Sequence, residues 1–255
     1  MTNSISMFAI NNIPDIQSDD DLAAILISCL GESGLQDGDI VVIAHKVVSK
    51  AEGKIVHLKD VIPSEQAIKL AEQVNKDPRK VEVVLRESKQ VVKVRKLPHR
   101  DEGLIITEHK LGFICANSAV DESNTEHPDT VILLPKDPDN SARLIRQRLE
   151  QVYGGNIGVV ITDTFGRPWR MGLVNVAIGL AGVPSQVSLI GEQDAYGREL
   201  SVTVSALADE LAAASGLLMS KSGKKPALVF RGVDWQVQIS SAQDLLRPVQ
   251  EDLFR

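Results

Sequence analysis

Apolar positions recur along the chain with two periods, and the two periods divide it into helices and strands. In "SDDDLAAILISCLG" Leu22, Ile25, Leu26 and Cys29 share a helical stripe. Ser18 is the expected N-cap with Asp21 at the third helical position, and Gly31 ends the run. "PSEQAIKLAEQVNKD" predicts a helix capped by Ser64 with Ala67, Ile68, Ala71 and Val74 inside. Asp77-Pro78 starts another, since proline suits the first helical position, and Val81, Val84 and Leu85 follow at helical spacing. "DPDNSARLIRQRLEQVYGG" predicts a helix capped by Asn140 or Ser141, with Leu144, Ile145, Leu149 and Val152 inward and Gly154-Gly155 closing it. "ALADELAAASGLLMSKSG" places Leu207, Leu211 and Leu218 near one face of a further helix.

Between these runs the pattern turns β-branched. Asp37-Gly38 marks a turn, and "DIVVIAHKVVSK" predicts a strand on which Lys46 and Lys50 point the same way, joined by Lys54 unless Gly53 breaks the pleat. "QVVKVRK", "GLIIT", "LGFICANSAV" and "PALVF" predict further strands. "NIGVVIT" predicts a short buried strand ending at Asp163-Thr164, just before the turn "FGRP". Helices and strands mix without regular alternation, which implies an α+β fold with mixed, largely antiparallel sheets and packed helices. With no repeat, low-complexity tract or linker, the expectation is one domain over 1–255, with room for sub-domains.

Composition narrows the function. At 255 residues, 43% hydrophobic and 24% charged, the chain can bury an ordinary globular core. A net charge of -6 argues against general nucleic-acid or anionic-membrane binding. The two cysteines, Cys29 and Cys115, lie in apolar runs with no metal spacing, so a reducing, cytoplasmic setting is expected. The N-terminal segment lacks a signal-peptide pattern, and no apolar run approaches the ~20 residues of a membrane span.

Asp163 and Thr164 offer hard oxygen donors at a strand end, suited to magnesium or manganese; the equal alternative is that Asp163 caps the turn at Gly166-Arg167-Pro168. Asp121, Glu122 and Asn124 follow another apolar run and, taken alone, read as a solvated loop. Lys46 and Lys50 would either neutralise phosphates or guard a strand edge. Asp194, Gly197, Arg198 and Glu199 form a turn that is structural or anion-holding. His45, His57, His99, His109 and His127 are scattered, none beside a serine or cysteine nucleophile, so triad hydrolysis has no support. Neither a P-loop nor a G-x-G-x-x-G loop occurs.

The segments "IPDI", "VVSKAEGK", "ANSAVDESN", "ITDTFGRPWRMGLVNVAIGLAG", "YGREL", "ADELAAASGLLM" and "VFRG", in this order, resemble the coenzyme F420-0:L-glutamate ligase family over nearly the whole chain. The resemblance implies a carbon-nitrogen ligase: GTP phosphorylates the carboxylate of a deazaflavin precursor, glutamate attacks the acyl phosphate, and further γ-linked glutamates can follow. It implies that Asp121 and Asp163 hold a first divalent ion, magnesium or manganese, and that Thr164 helps hold a second, with potassium a further candidate. It implies a nucleotide pocket from Ile13, Pro14, Asp15, Ile16, His45, Lys46, Lys50 and Asn124, covered by Met219, Ser220, Lys221, Ser222, Gly223, Lys224, Lys225 and Pro226. Arg167 and Arg170 are candidate anchors for anionic substrate, and no residue is assigned the catalytic role. Lys221 departs from the acidic or amide side chain implied there, which cannot be replaced as a ligand by an ammonium and points to a phosphate contact. A homodimer is implied, and no C-terminal nitroreductase-like domain is expected. The competing expectations are the same chemistry on another carboxylate and a non-catalytic nucleotide-binding regulator.

Overall fold

The computed structural model describes residues 4–31, 34–96, 98, 100–123, 125, 127–219 and 223–252. Its central sheet is built from β1 (Ser6–Ala9), β2 (Ile40–Ala44), β8 (Gly158–Arg167), β9 (Arg170–Ala181) and β12 (Ala227–Arg231), in the order β1-β12-β2-β8-β9. Only β2 and β8 pair in parallel; the other neighbours are antiparallel. β2 and the first half of β8 are continuous apolar runs because both lie in the sheet interior, covered on both faces. α1 (Leu22–Leu30), α5 (Pro138–Tyr153) and α6 (Leu207–Ser215) contribute Leu26, Leu149 and Leu211 to the same core.

A second layer carries the three-stranded sheet β4 (Ser88–Arg95), β5 (Leu104–His109) and β6 (Ile114–Ala116). α3 (Glu65–Val74) and α4 (Pro78–Arg86) pack on it through Ala67, Val74, Val81 and Ile105. β3 (Ile55–His57) and β7 (Thr130–Ile132) pair with each other, and β10 (Val187–Ser188) and β11 (Val204–Ser205) form a further two-stranded ladder. The α+β class with mixed, largely antiparallel sheets is as expected.

Several local expectations need correction. Residues 45–51 are helix α2 (His45–Ala51), not the continuation of a strand. Lys46 and Lys50 still share a face, but as an i,i+4 helical pair. Gly53, at φ +64°, turns the chain out of the helix, so Lys54 does not join them. α1 is capped by Asp21, whose carboxylate accepts from the Ala24 amide, rather than by Ser18. α5 is capped by Asp137 with Pro138 in its first turn, which lengthens the helix beyond the Asn140 or Ser141 start. Its Leu144 and Val152, and Ile68 of α3, are exposed, because only one side of each helix meets the sheet. β6 is three residues long and gives way to a left-handed turn at Asn117, Ser118 and Ala119.

The largest difference is at β8. The strand does not stop at Thr164 but continues to Arg167 and returns as β9, a long hairpin whose root is buried and whose tip exposes Trp169, Met171 and Leu173. What ends at Asp163 is burial, not the strand. β9 carries one residue more than β8 between the Ile161–Gly179 and Thr162–Ala177 pairs, a bulge that re-aims the side chains beyond it.

Candidate functional site

The parallel pairing of β2 with β8 fixes the site. Ala44, the last residue of β2, lies opposite Thr162, so the residues that follow, His45 and Asp163, come side by side. His45 Nε2 is 3.2 Å from Asp163 Oδ1. Because β1 and β12 run antiparallel, the exit from β1 and the approach to β12 reach the same edge. The Ala44 amide donates to Pro226 O at 2.7 Å, and the Ile10 amide donates to Ala227 O at 2.9 Å. Four chain segments thus meet at the carboxyl end of β2, beside the middle of β8, and strand ends are a favoured place for a ligand crevice.

A cavity of about 380 Å³ opens there, in the size range of small-molecule sites. Ile13, Pro14 and Asp15 form one wall; Met219, Lys224, Lys225 and Pro226 form another; His45, Lys46 and Lys50 of α2 and Thr162, Asp163 and Thr164 of β8 form the floor. Ala44, Thr125 and Asn175 complete the described lining. Four lysines against two aspartates make this a basic pocket in an acidic chain, fitted to a polyanion.

Asp163 is buried, and its contacts run through one oxygen: Oδ1 accepts from the Thr164 amide at 2.6 Å and faces His45. It does not cap the hairpin turn, so that alternative falls. On its other side, His45 Nδ1 is 3.2 Å from Ser49 Oγ. A serine therefore does stand beside a histidine, but Ser49 is sealed in the core and offers no nucleophile to a substrate. Asp121 reaches the cavity through Lys46, whose ammonium is 2.7 Å from Asp121 Oδ2 and also meets Ser123. Burial pushes the Asp121 carboxyl up, but the hydrogen bond and charge of Lys46 and the Ser123 amide outweigh it and hold the group below its ordinary value. Burial drives the Cys115 thiol up to about 12, and the charge of Asp163 adds to the rise.

No cluster of three or more His, Cys, Asp or Glu among the described residues is arranged to hold a metal ion. The donors present are a carboxylate, Asp163, with Oδ2 in no hydrogen bond to described residues, the Thr164 hydroxyl, and Asp121 on Lys46. Such a set fits magnesium or manganese carried on phosphate, which takes one or two carboxylates and draws its remaining ligands from phosphate oxygens and water.

A family model described as F420-0:Gamma-glutamyl ligase matches residues 11–232. The chain belongs to this family. Among its relatives, the coenzyme F420:L-glutamate ligase of Methanopyrus kandleri is 44% identical over 245 residues, 94% of this chain and 93% of that protein. Those of Methanothermobacter thermautotrophicus and Methanocaldococcus jannaschii are both 42% identical, covering 98% and 90% of this chain and 99% and 90% of those proteins.

In this γ-glutamyl ligase family member, the residues singled out from sequence fall as follows. Ile13, Pro14, Asp15, His45, Lys46, Lys50, Asp163, Thr164, Met219, Lys224, Lys225 and Pro226 line the cavity. Ile16 lines an adjoining cavity of about 350 Å³ that shares Lys50 and Thr125 with the first. Asp121 stands behind Lys46, and Gly223 borders the lining at Lys224. Arg167 and Arg170 lie exposed at the hairpin tip, where Arg167 donates to Met171 O, outside the cavity lining. Asn124, Ser220, Lys221 and Ser222 lie outside the described residues. Sequence reasoning missed Thr162, Asn175 and Thr125. Asn175 pairs across the hairpin with Thr164, a register that follows only once β9 is recognised.

Proposed function

We propose that this chain joins the carboxylate of the deazaflavin coenzyme precursor F420-0 to the amine of L-glutamate, at the expense of GTP and with magnesium or manganese, and can extend the product by further γ-linked glutamates. The names of the relatives support the substrates, and the basic cavity where β2 ends beside the middle of β8 carries the reading.

In the first half-reaction an oxygen of the acceptor carboxylate attacks the γ-phosphorus and GDP leaves, giving an acyl phosphate. In the second, the glutamate nitrogen attacks the acyl carbon, a proton is lost and phosphate departs, leaving an amide. Both reactants of the first step are anions, so bringing them together is the main barrier that positioned cations lower. Lys46 and Lys50 supply positive charge one helical turn apart, and Lys224 and Lys225 add to it from the segment before β12. A divalent ion bound between the phosphates and Asp163 would withdraw charge from the phosphoryl oxygens. The exposed apolar tip of the β8–β9 hairpin supports a homodimer, since such a patch favours burial against a partner, and two free cysteines agree with a cytoplasmic setting.

The test is mass spectrometry of the precursor after incubation with glutamate, GTP and a manganese salt. The expected result is a gain of one or more glutamyl units with matching GDP release. An unchanged precursor mass, with alternative carboxylates becoming glutamylated instead, would reassign the acceptor.

A further inference from the structure

The hydroxyl of Thr164 is held in one orientation by a chain of hydrogen bonds whose direction can be read from its far end. Ser215, buried in the last turn of α6, donates its single hydroxyl proton to Ala212 O at 2.6 Å. Toward Asn175, 3.1 Å away, Ser215 Oγ is therefore an acceptor, and the Asn175 amide must present Nδ2 to it. That leaves Asn175 Oδ1 facing Thr164 Oγ1 at 2.9 Å, so Thr164 is the donor. The amide orientation thus follows from the network, not from the shape of the side chain. Nδ2 also approaches Met219 Sδ at 3.9 Å, and Met219 lines the cavity.

We infer that Asn175 is a positioning residue that makes Thr164 an acceptor-only group in the cavity. With its proton directed to Asn175, the Thr164 oxygen turns lone pairs toward the ligand space and cannot donate to a phosphate oxygen. It suits a cation. Thr164 then meets the nucleotide through the divalent ion and not by a hydrogen bond to phosphate. The backbone supports this placement: Thr164 and Asn175 are cross-strand partners beyond the β8–β9 bulge, and Asn175 itself lines the cavity. The inference rests on the reading of Thr164 as a cation contact, and adds the residue that sets its chemistry.

The experiment measures Mn2+ binding by electron paramagnetic resonance in the presence of GTP and absence of glutamate, so that no turnover enters. Thr164→Val tests the underlying reading and should weaken binding of one ion at least tenfold. Asn175→Leu, which keeps the size of the side chain and removes both polar atoms, should weaken the same ion at least fivefold. Asn175→Asp, which keeps the acceptor oxygen, should stay within threefold of the unsubstituted protein. Ser215→Ala, a small change in a buried site, should give an intermediate loss and serves if Asn175→Leu does not fold. In steady-state assays the loss should appear in the apparent KM for manganese more than in kcat. If Thr164→Val leaves Mn2+ binding unchanged, the cation reading of Thr164 is wrong. If Thr164→Val weakens it while Asn175→Leu and Ser215→Ala do not, the positioning role of Asn175 is overturned.

Discussion

Lys46 Nζ lies 2.7 Å from Asp121 Oδ2, and through this pair the loop after the small sheet is tied to the floor of the cavity. Both side chains are largely buried, at 15% and 25% exposed. Replacing Lys46 by Met removes the larger of the interactions that hold the Asp121 carboxyl down and leaves only the Ser123 contact against the burial that pushes it up. The expected outcome is an Asp121 pKa above that in the parent protein, followed by carbon NMR of the carboxyls, and a loss of about 1–3 kcal/mol of stability at neutral pH. The sign follows from linkage: in the parent protein this depressed carboxyl stabilises the fold above its unfolded value and loses that contribution as pH falls through its folded value. In the Lys46→Met protein the acid-linked loss should shrink or reverse. An unmoved Asp121 titration would show that Lys46 does not govern it.

His109 predicts a separate pH response. Its ring is buried, Nδ1 accepts from the Leu111 amide at 2.9 Å, and burial lowers its pKa from 6.5 to about 4 against the nearby Glu87 carboxylate. The neutral form is the one that folds, so this contribution is full above pH 6.5 and is lost as pH falls toward 4. At about 1.4 kcal/mol per unit, the loss amounts to roughly 3 kcal/mol. Urea melts between pH 7.5 and 4 should show it, and His109→Gln should flatten that limb of the curve. A limb of equal slope in both proteins would assign the effect to other groups.

Arg231 and Asp39 join β12 to the turn before β2 by a two-pronged bond, Nε to Oδ1 at 2.9 Å and Nη2 to Oδ2 at 2.7 Å. Asp39 is 1% exposed, so Arg231→Met would strand a buried charge. The expected cost is about 3 kcal/mol in denaturant unfolding. Arg231→Lys should recover less than half of it, because an ammonium cannot reproduce the planar fork and would lose the contact over the Phe8 ring. Full recovery by lysine would mean that charge alone matters there.

Gly179 is set by close approach. A Cβ at this position of β9 would come within 2.5 Å of the carbonyl carbon and Cβ of Pro138, at the start of α5. Gly179→Ala should force the helix off the hairpin root and cost about 1–3 kcal/mol. A thermal melt within error of the parent protein would show that α5 can shift freely.

The helices with strong end signals were legible from the chain alone. Ser64 and Asp77-Pro78 mark α3 and α4 because an oxygen cap and a first-turn proline state where a helix begins. α2 was not, since Ala44 caps nothing and Val47-Val48 favour a strand until the surrounding fold overrides them. The outer half of the hairpin was hidden for the opposite reason. "RMGL" faces solvent on both sides, so no buried face marks it as a strand. In the site, Asp163, Thr164, Lys46 and Lys50 stood out as charged or hydroxyl groups next to apolar runs. Asn175 did not, because its meaning depends on which residue of β8 lies across from it, and the bulge at Ile178 shifts that register by one.

The insertion of β12 between β1 and β2 has a bearing on how the chain matures. β1 pairs with no other described strand of the central sheet, and β2 would keep an open edge until β12 arrives from far along the chain. The crevice gains its second wall, Lys224 to Pro226, in the same event. The crevice of newly made polypeptide is therefore completed only when its late strand has docked, and ligand retention reports that biogenesis has reached that stage.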